Sequence, residues 1–241
     1  MGVIVFNGIS SRDVGIEVET FPTYDVPERE YEAIHVPGRN GDVIIDNGTY
    51  KNIQRSYYVS IATYSLSYHQ KLASVAKWLH SSSGYARLED SYEPDFYRQA
   101  YYKEKVNFEN LFNEAGRATI NFECKPQKFF KSGEIPIEFT SAGAIQNGTV
   151  NIALPKIEVI TDNTQGEINI GGIRISIAAN AGTSIIIDSE LQDAYNNQNV
   201  NKNLSITLTD GEFPVLKPGK NTISFSGGVQ RVLITPRWWT I

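Results

Sequence analysis

The feature that most constrains this chain is a change in the spacing of its isoleucines across a glycine pair. Ile168 and Ile170, before Gly171-Gly172, occupy even positions, whereas Ile173, Ile175 and Ile177, after it, occupy odd ones. Successive side chains of a strand point to opposite faces, so one continuous strand would split the two groups. A two-residue turn at this pair brings Ile170 opposite Ile173 and Ile168 opposite Ile175. The pattern therefore predicts an antiparallel hairpin with a single apolar face.

A second glycine pair, Gly227-Gly228, follows the same pattern. Ile223 and Phe225 precede it at odd positions, while Val232 and Ile234 follow it at even positions. A turn there would again gather the four side chains on one face. Short strands with one apolar face each, joined by tight turns, are typical of an antiparallel sandwich. We expect such a sandwich in the second half of the chain.

The first half carries the one convincing helix. Apolar residues recur at helical spacing over residues 68–80, and Ser67 with Gln70 has the spacing of a capping box. Residues 53–61 instead alternate as a half-buried strand does, with Arg55 interrupting the inward row. The sequence predicts a mainly β protein with one helix.

A chain of 241 residues with 41% hydrophobic content suffices for two domains with their own cores. Residues 125–133 are basic in an otherwise acidic chain and include Pro126 and Gly133, which favours a linker. Beyond them helix signals almost vanish. We predict domains over residues 1–131 and 132–241.

Residues 35–53 are the densest in turn residues. Asn47-Gly48 is the favoured pair for a two-residue type I′ turn. With that turn, Asp46 faces Thr49, Ile45 faces Tyr50 and Ile44 faces Lys51. Such a two-stranded ribbon cannot bury its own apolar side chains, so we expect it to pack against something else.

Two motifs resemble one known family. Residues 36–42 read V-P-G-R-x-G-D and residues 46–52 read D-N-G-x-Y-x-N, while residues 213–221 and 234–238 supply F-P-V-L-K-P-G-K-N and I-T-P-R-W. In this order and spacing they resemble the distal tail (Dit) proteins of siphophages, over nearly the whole chain.

That resemblance implies a structural role without catalysis. It implies an N-terminal β-sandwich with one helix and a protruding hairpin, followed by a C-terminal galectin-like β-sandwich. It further implies a homo-hexameric ring at the phage tail tip, assembled in the bacterial host cytoplasm. The ring would join the tail tube protein to the tail-associated lysin or hub protein and could hold a receptor-binding protein. DNA would only pass through its channel.

The hairpin is the predicted contact between ring subunits. A closed ring needs a head-to-tail contact, and the hairpin supplies a protruding surface for one. The predicted interface residues are Pro37, Gly38, Arg39, Ile44, Ile45, Asn47, Gly48 and Tyr50.

Residues suited to other chemistry are scarce. There are three histidines, and His69 and His80 would lie about three helical turns apart, too far to share an ion. The acidic loop at residues 89–95 does not fit a calcium-loop frame. No hydrolase, metalloprotease or nucleotide motif is present, although 27 acids leave a two-carboxylate glycosidase open. We predict no metal and no cofactor.

Charge and hydropathy limit the partners further. The formal net charge is −5 without a basic run, which argues against tight binding to DNA. No apolar run is long enough to cross a bilayer and no secretory signal is evident, so a soluble protein without a membrane partner is expected. Cys124, the single cysteine, excludes an intrachain disulfide.

The sequence is also compatible with a second class of function. A lectin-like second domain could bind glycans on the host cell surface through exposed aromatic side chains. The candidate stacking residues are Tyr195, Trp238 and Trp239.

Overall fold

The structure is a computed structural model, and it describes residues 2–62, 68–111, 115–209 and 211–241. The chain divides into two compact units. The first unit comprises Met1–Lys128 with Ile241, and the second comprises Phe129–Thr240. Among the described residues, no helix has the length and apolarity needed to span a membrane.

The elements begin with ten strands and one helix. These are β1 (Ile4–Phe6), β2 (Ile9–Ser10), β3 (Ile16–Val18), β4 (Arg29–Ile34), β5 (Val43–Tyr50), β6 (Ile53–Ala62), α1 (Tyr68–Leu79), β7 (Ala86–Asp90), β8 (Phe96–Tyr101), β9 (Glu109–Leu111) and β10 (Ala115–Phe130). Nine strands follow: β11 (Ile137–Phe139), β12 (Gly143–Asn147), β13 (Lys156–Ile170), β14 (Ile173–Ile177), β15 (Ser184–Asp188), β16 (Asp193–Tyr195), β17 (Ile206–Leu208), β18 (Gly219–Thr235) and β19 (Trp239–Thr240).

The first unit is an antiparallel sheet curled around one core. Its strands run in the order β2-β1-β7-β8-β10-β6-β3, and a bridge between Gly2 and Val18 brings the two ends of that path together. Helix α1 supplies Trp78, whose ring meets those of Phe6 and Phe122 edge to face. The predicted helix is confirmed, and its proposed cap residue Ser67 lies outside the described residues.

The second unit is built on two long strands, β13 and β18, that pair along most of their length. At one end of this pair, β15 pairs with β13 and β11 pairs with β18. At the other end, β14 pairs with β13 and β12 pairs with β18. The pairing of β13 with β18 is irregular between Ile160 and Gly166, so the two ends form separate ladders. Isoleucines from both ends belong to one hydrophobic core. The hairpin at Gly171-Gly172 is confirmed, with Ile170 opposite Ile173. The predicted fold class, mainly β with one helix and a protruding hairpin, is confirmed.

The predicted turn at Gly227-Gly228 is wrong, because β18 continues through the pair. Val229 and Val232 are both buried, whereas the two residues between them are exposed. A bulge there resets the side-chain alternation as a turn would. Gly227 has a φ of 66°, and an added Cβ would lie 2.5 Å from the carbonyl oxygen of Gln165. Only glycine fits this close approach to β13.

The predicted linker, residues 125–133, contains the boundary between the two units but has regular structure. Residues 125–130 continue β10, and Lys131–Glu134 form a 3-10 turn. The ladder between β10 and β6 ends at Cys124, so Pro126 lies beyond it and interrupts none of its hydrogen bonds. The first compact unit ends at Lys128 and the second begins at Phe129. Independent folding of the two predicted domains stays a prediction.

Candidate assembly surface

A hairpin formed by β4, β5 and the connection at residues 35–42 is almost wholly exposed. It is inserted between β3 and β6, which pair directly with each other. Strands β4 and β5 form a two-stranded sheet separate from both large sheets. Every residue of β4 is exposed, and so is every residue of β5 except its two ends. The hairpin is therefore outside the core of its own chain.

The chain reverses at Pro37-Gly38, not at Asn47-Gly48 as predicted. The N–H of Arg39 donates to the carbonyl of Val36 at 3.2 Å, and Gly38 has a φ of 80°. Proline followed by a glycine with positive φ is typical of a type II turn.

The pairings predicted for the hairpin are wrong as a consequence. Strand β5 runs from Val43 to Tyr50 through the Asn-Gly pair, so Asp46, Ile45 and Ile44 do not face Thr49, Tyr50 and Lys51. The observed partners come from β4: Tyr31 faces Asp46, Glu32 faces Ile45 and Ala33 faces Ile44.

Asn47-Gly48 forms a bulge within β5. Tyr31 pairs with Asp46 and Arg29 with Tyr50, so Glu30 alone lies opposite three residues. Gly48 has a φ of 73° and its N–H donates to Oδ1 of Asp46 at 2.9 Å. A glycine with positive φ suits a bulge as well as a turn, which is why the sequence signal was ambiguous.

Asp46 also fixes the base of the bulge. It pairs with Arg29 across the two strands, with Nε of Arg29 at 3.1 Å from Oδ1. The hydrogen bond from Arg29, followed by that from the N–H of Gly48, lowers the pKa of Asp46. Thr49 donates to Glu30 at 3.0 Å on the other side of the bulge.

Both faces of the hairpin carry exposed apolar side chains. On one face lie Tyr31 and Ile44, which are 57% and 58% exposed. On the other lie Ile34 and Ile45, the latter 44% exposed. A ribbon that buries neither face on its own chain leaves this surface available to a partner.

The root of the hairpin is held by Arg55, which is 1% exposed. Its guanidinium donates to the carbonyl of Thr23 at 2.9 Å and lies 4.5 Å from the ring of Tyr24, so it fixes the segment leading to β4. Asp90 and Glu93 accept from Arg55 at 3.0 and 3.1 Å.

This buried cluster is a structural ion network. Burial opposes ionisation of Asp90, but the hydrogen bond from Tyr57 and the charge of Arg55 outweigh it and lower the pKa of Asp90. Burial, followed by the charge of Asp90, raises the pKa of Tyr57. The acidic loop at residues 89–95, expected from the sequence to be solvated, instead turns Asp90 and Glu93 toward Arg55. The signal for this pairing was Arg55 itself, which interrupts the inward row of residues 53–61.

The three aromatic residues predicted for glycan stacking are each half-buried. Trp238 packs against the core of the second unit. Trp239 donates through Nε1 to the carbonyl of Ile152 at 2.8 Å, and the hydroxyl of Tyr195 lies 3.4 Å from Oδ2 of Asp188. Their role as stacking groups stays a prediction.

The part of the chain that the structure describes contains no cluster of metal-ligating side chains. No group of three or more His, Cys, Asp or Glu side chains there could hold an ion. Burial raises the pKa of the Cys124 thiol to about 12.

Comparison with known proteins identifies the fold. The structure is similar to the crystal structure of the SPP1 Dit protein (gp 19.1), with a TM-score of 0.78, 14% sequence identity and 100% of both chains covered. That protein is described as a paradigm of the hub adsorption apparatus in phages infecting Gram-positive bacteria. No protein-family profile and no curated protein sequence matches the chain. The resemblance predicted from the two motifs is confirmed at the level of the fold.

Proposed function

We propose that this protein is a structural component of a phage tail tip. It forms a ring, with six copies as the expected number, that joins the tail tube protein to a tail-associated hub protein and carries the adsorption apparatus. DNA passes through the central channel. The protein is a virion component assembled in the host cytoplasm, and it has no catalytic role.

The observation that carries this proposal is the exposed hairpin on a chain with the Dit fold. The fold likeness extends over the whole of both chains. The hairpin exposes apolar side chains on both faces. Exposed apolar surface of this kind is typical of a protein contact site. A head-to-tail contact with a neighbouring copy buries them, and repetition of that contact closes a ring.

The deciding experiment is the mass of the purified protein in solution, measured by light scattering across a range of concentrations. A single large species close to six chain masses supports the ring. A protein that stays monomeric at high concentration contradicts it.

A further inference from the structure

The hairpin needs a complementary surface on the neighbouring copy. The outward side of β7 and β8 has the chemistry for it. Ala86 pairs with Ala100, which is fully buried, so Tyr85 and Tyr101 point outward by alternation. Their rings meet edge to face at 5.1 Å. We call the surface of Tyr85, Gln99, Tyr101 and Lys125 the tyrosine face.

Lys125 gives this surface its charge. Its ammonium lies 5.2 Å from the centroid of the Tyr85 ring. Within the described residues it makes no ion pair. Nearby Lys103, in contrast, is already paired with Glu123 at 3.1 Å. Tyrosines beside an unpaired cation are well suited to a protein contact, because aromatic side chains are enriched at interfaces.

One face of the hairpin is complementary to this arrangement. Register places Glu32, Ile34, Val43 and Ile45 on the same side. Three of them are apolar, and Glu32 has no ion-pair partner among the residues that the structure describes. The carboxylates of Glu28, Glu30 and Asp46, in contrast, already bond within the hairpin.

We propose that this hairpin face docks on the tyrosine face of a second copy of the chain, with Glu32 paired to Lys125 and the isoleucines against Tyr85 and Tyr101. The assignment rests on the proposed ring and names its acceptor surface. Tyr85 also accepts a hydrogen bond from Asn52, at the base of the same copy's hairpin, at 2.7 Å. A docked hairpin tip therefore lies beside the root of the next hairpin, and the contacts follow one another round the ring.

The alternative acceptor on the first unit fits less well. Tyr58 is exposed on the outward side of β6, opposite Thr119 of β10. The cation beside it, Arg117, is already paired with Glu19 at 3.2 Å, and its neighbour Ser60 is polar. That face offers Glu32 no unpaired cation, and the carboxylate of Glu109 beside Arg117 would repel it. Its described lining also holds no second aromatic ring.

Charge reversal tests the assignment. We expect Glu32→Lys and Lys125→Glu each to raise the concentration at half-assembly about tenfold, because like charges then face each other. The double variant should return to within about threefold of the parent. Glu17→Lys and Lys77→Glu make the same charge changes at exposed sites outside the contact and should leave assembly unchanged.

A disulfide experiment reads the same contact directly. Protein with Glu32→Cys and protein with Gln99→Cys, mixed and oxidised, should give a covalent dimer that neither forms alone, since Cys124 is fully buried. Analytical ultracentrifugation of the parent separates the two proposals. A parent that assembles while the reversals have no effect and no cross-link forms overturns the acceptor assignment and leaves the ring standing. A monomeric parent overturns both.

Discussion

Arg237 and Asp188 form a bidentate ion pair inside the second unit. The two guanidinium nitrogens lie 2.7 and 2.8 Å from the two carboxylate oxygens, and Asp188 is 1% exposed. Arg237 holds this position with a φ of 58°, and its N–H donates to the carbonyl of Gly133 at 2.8 Å. The pair thus fastens the end of the chain to β15 and to the start of the unit.

Arg237→Ala should destabilise the protein by about 3 kcal/mol, because it leaves a buried carboxylate without its partner. Urea unfolding followed by tryptophan fluorescence measures the loss. Arg231→Ala is the matched control: its pair with Glu138 at 3.0 Å is about half exposed, and its removal should change the free energy of unfolding by less than about 1 kcal/mol. Equal losses in the two variants would contradict the structural role of Arg237.

Asp188 also makes stability depend on pH. Burial alone would raise its pKa, but the hydrogen bonds and charge of Arg237 outweigh burial and lower it. A carboxylate with a lowered folded-state pKa stabilises the fold above its unfolded value, near pH 4, and loses that contribution as pH falls through the folded value. Urea midpoints measured from neutral pH into this range should fall more steeply for the parent than for Asp188→Asn. Equal slopes would show that Asp188 titrates normally.

Independent folding of the two units is testable by separate expression. Fragments divided between residues 128 and 129 should each unfold cooperatively, because each unit has its own core. Division between residues 131 and 132 should weaken the second fragment, since the N–H of Phe130 donates to the carbonyl of Trp238 at 2.9 Å. Unfolded fragments from both divisions would indicate one cooperative unit.

Duplex DNA should not adhere to the protein. In the proposed ring, six copies of a chain with formal charge −5 would carry −30, which disfavours retention of a polyanion. Filter binding at physiological ionic strength should therefore retain no DNA. Tight binding that weakens with added salt would contradict this account of the channel.

The sequence predicted those features that depend on side-chain alternation. Isoleucine spacing located the hairpin at Gly171-Gly172, and helical spacing located α1. It failed where glycine has two uses. At Gly227 and at Gly48 the same positive φ serves a bulge, and the choice between a bulge and a turn depends on whether a distant strand pairs on both sides.

The candidate site was predictable in position but not in detail. The apolar side chains of residues 43–50 indicated an exposed ribbon, and Ile44 and Ile45 are exposed. Its partner strand β4 was missed, because Arg29–Ile34 reads R-E-Y-E-A-I, in which three of the first four residues are charged and no apolar alternation marks a strand. Nor could local patterns show that Arg55 meets Asp90, a residue 35 positions away.

The bulge in β5 gives the hairpin its shape. Substituting its two central residues, Asn47 and Gly48, one at a time distinguishes the effect of backbone strain from the effect of replacing a side chain. Only Gly48 has a positive φ, so Gly48→Val forces a β-branched residue into a disfavoured conformation, whereas Asn47→Val does not. Both sites are exposed and outside the core. Asn47→Val should therefore stay within about 0.5 kcal/mol of the parent in free energy of unfolding. Gly48→Val should cost about 1–3 kcal/mol through backbone strain and leave the core of the first unit folded.

Assembly should respond differently. We expect Gly48→Val, alone or combined with Asn47→Val, to abolish the large species in light scattering, because a straightened β5 no longer presents the Glu32 and Ile45 face in the required geometry. Asn47→Val alone should assemble like the parent, since a valine is well tolerated in a strand. Asn47 was among the interface residues predicted from the sequence, but it is not part of the proposed docking face of Glu32, Ile34, Val43 and Ile45. Assembly of the Gly48→Val protein at parental concentrations would show that the bulge, and the hairpin shape that depends on it, is not needed for the contact between copies.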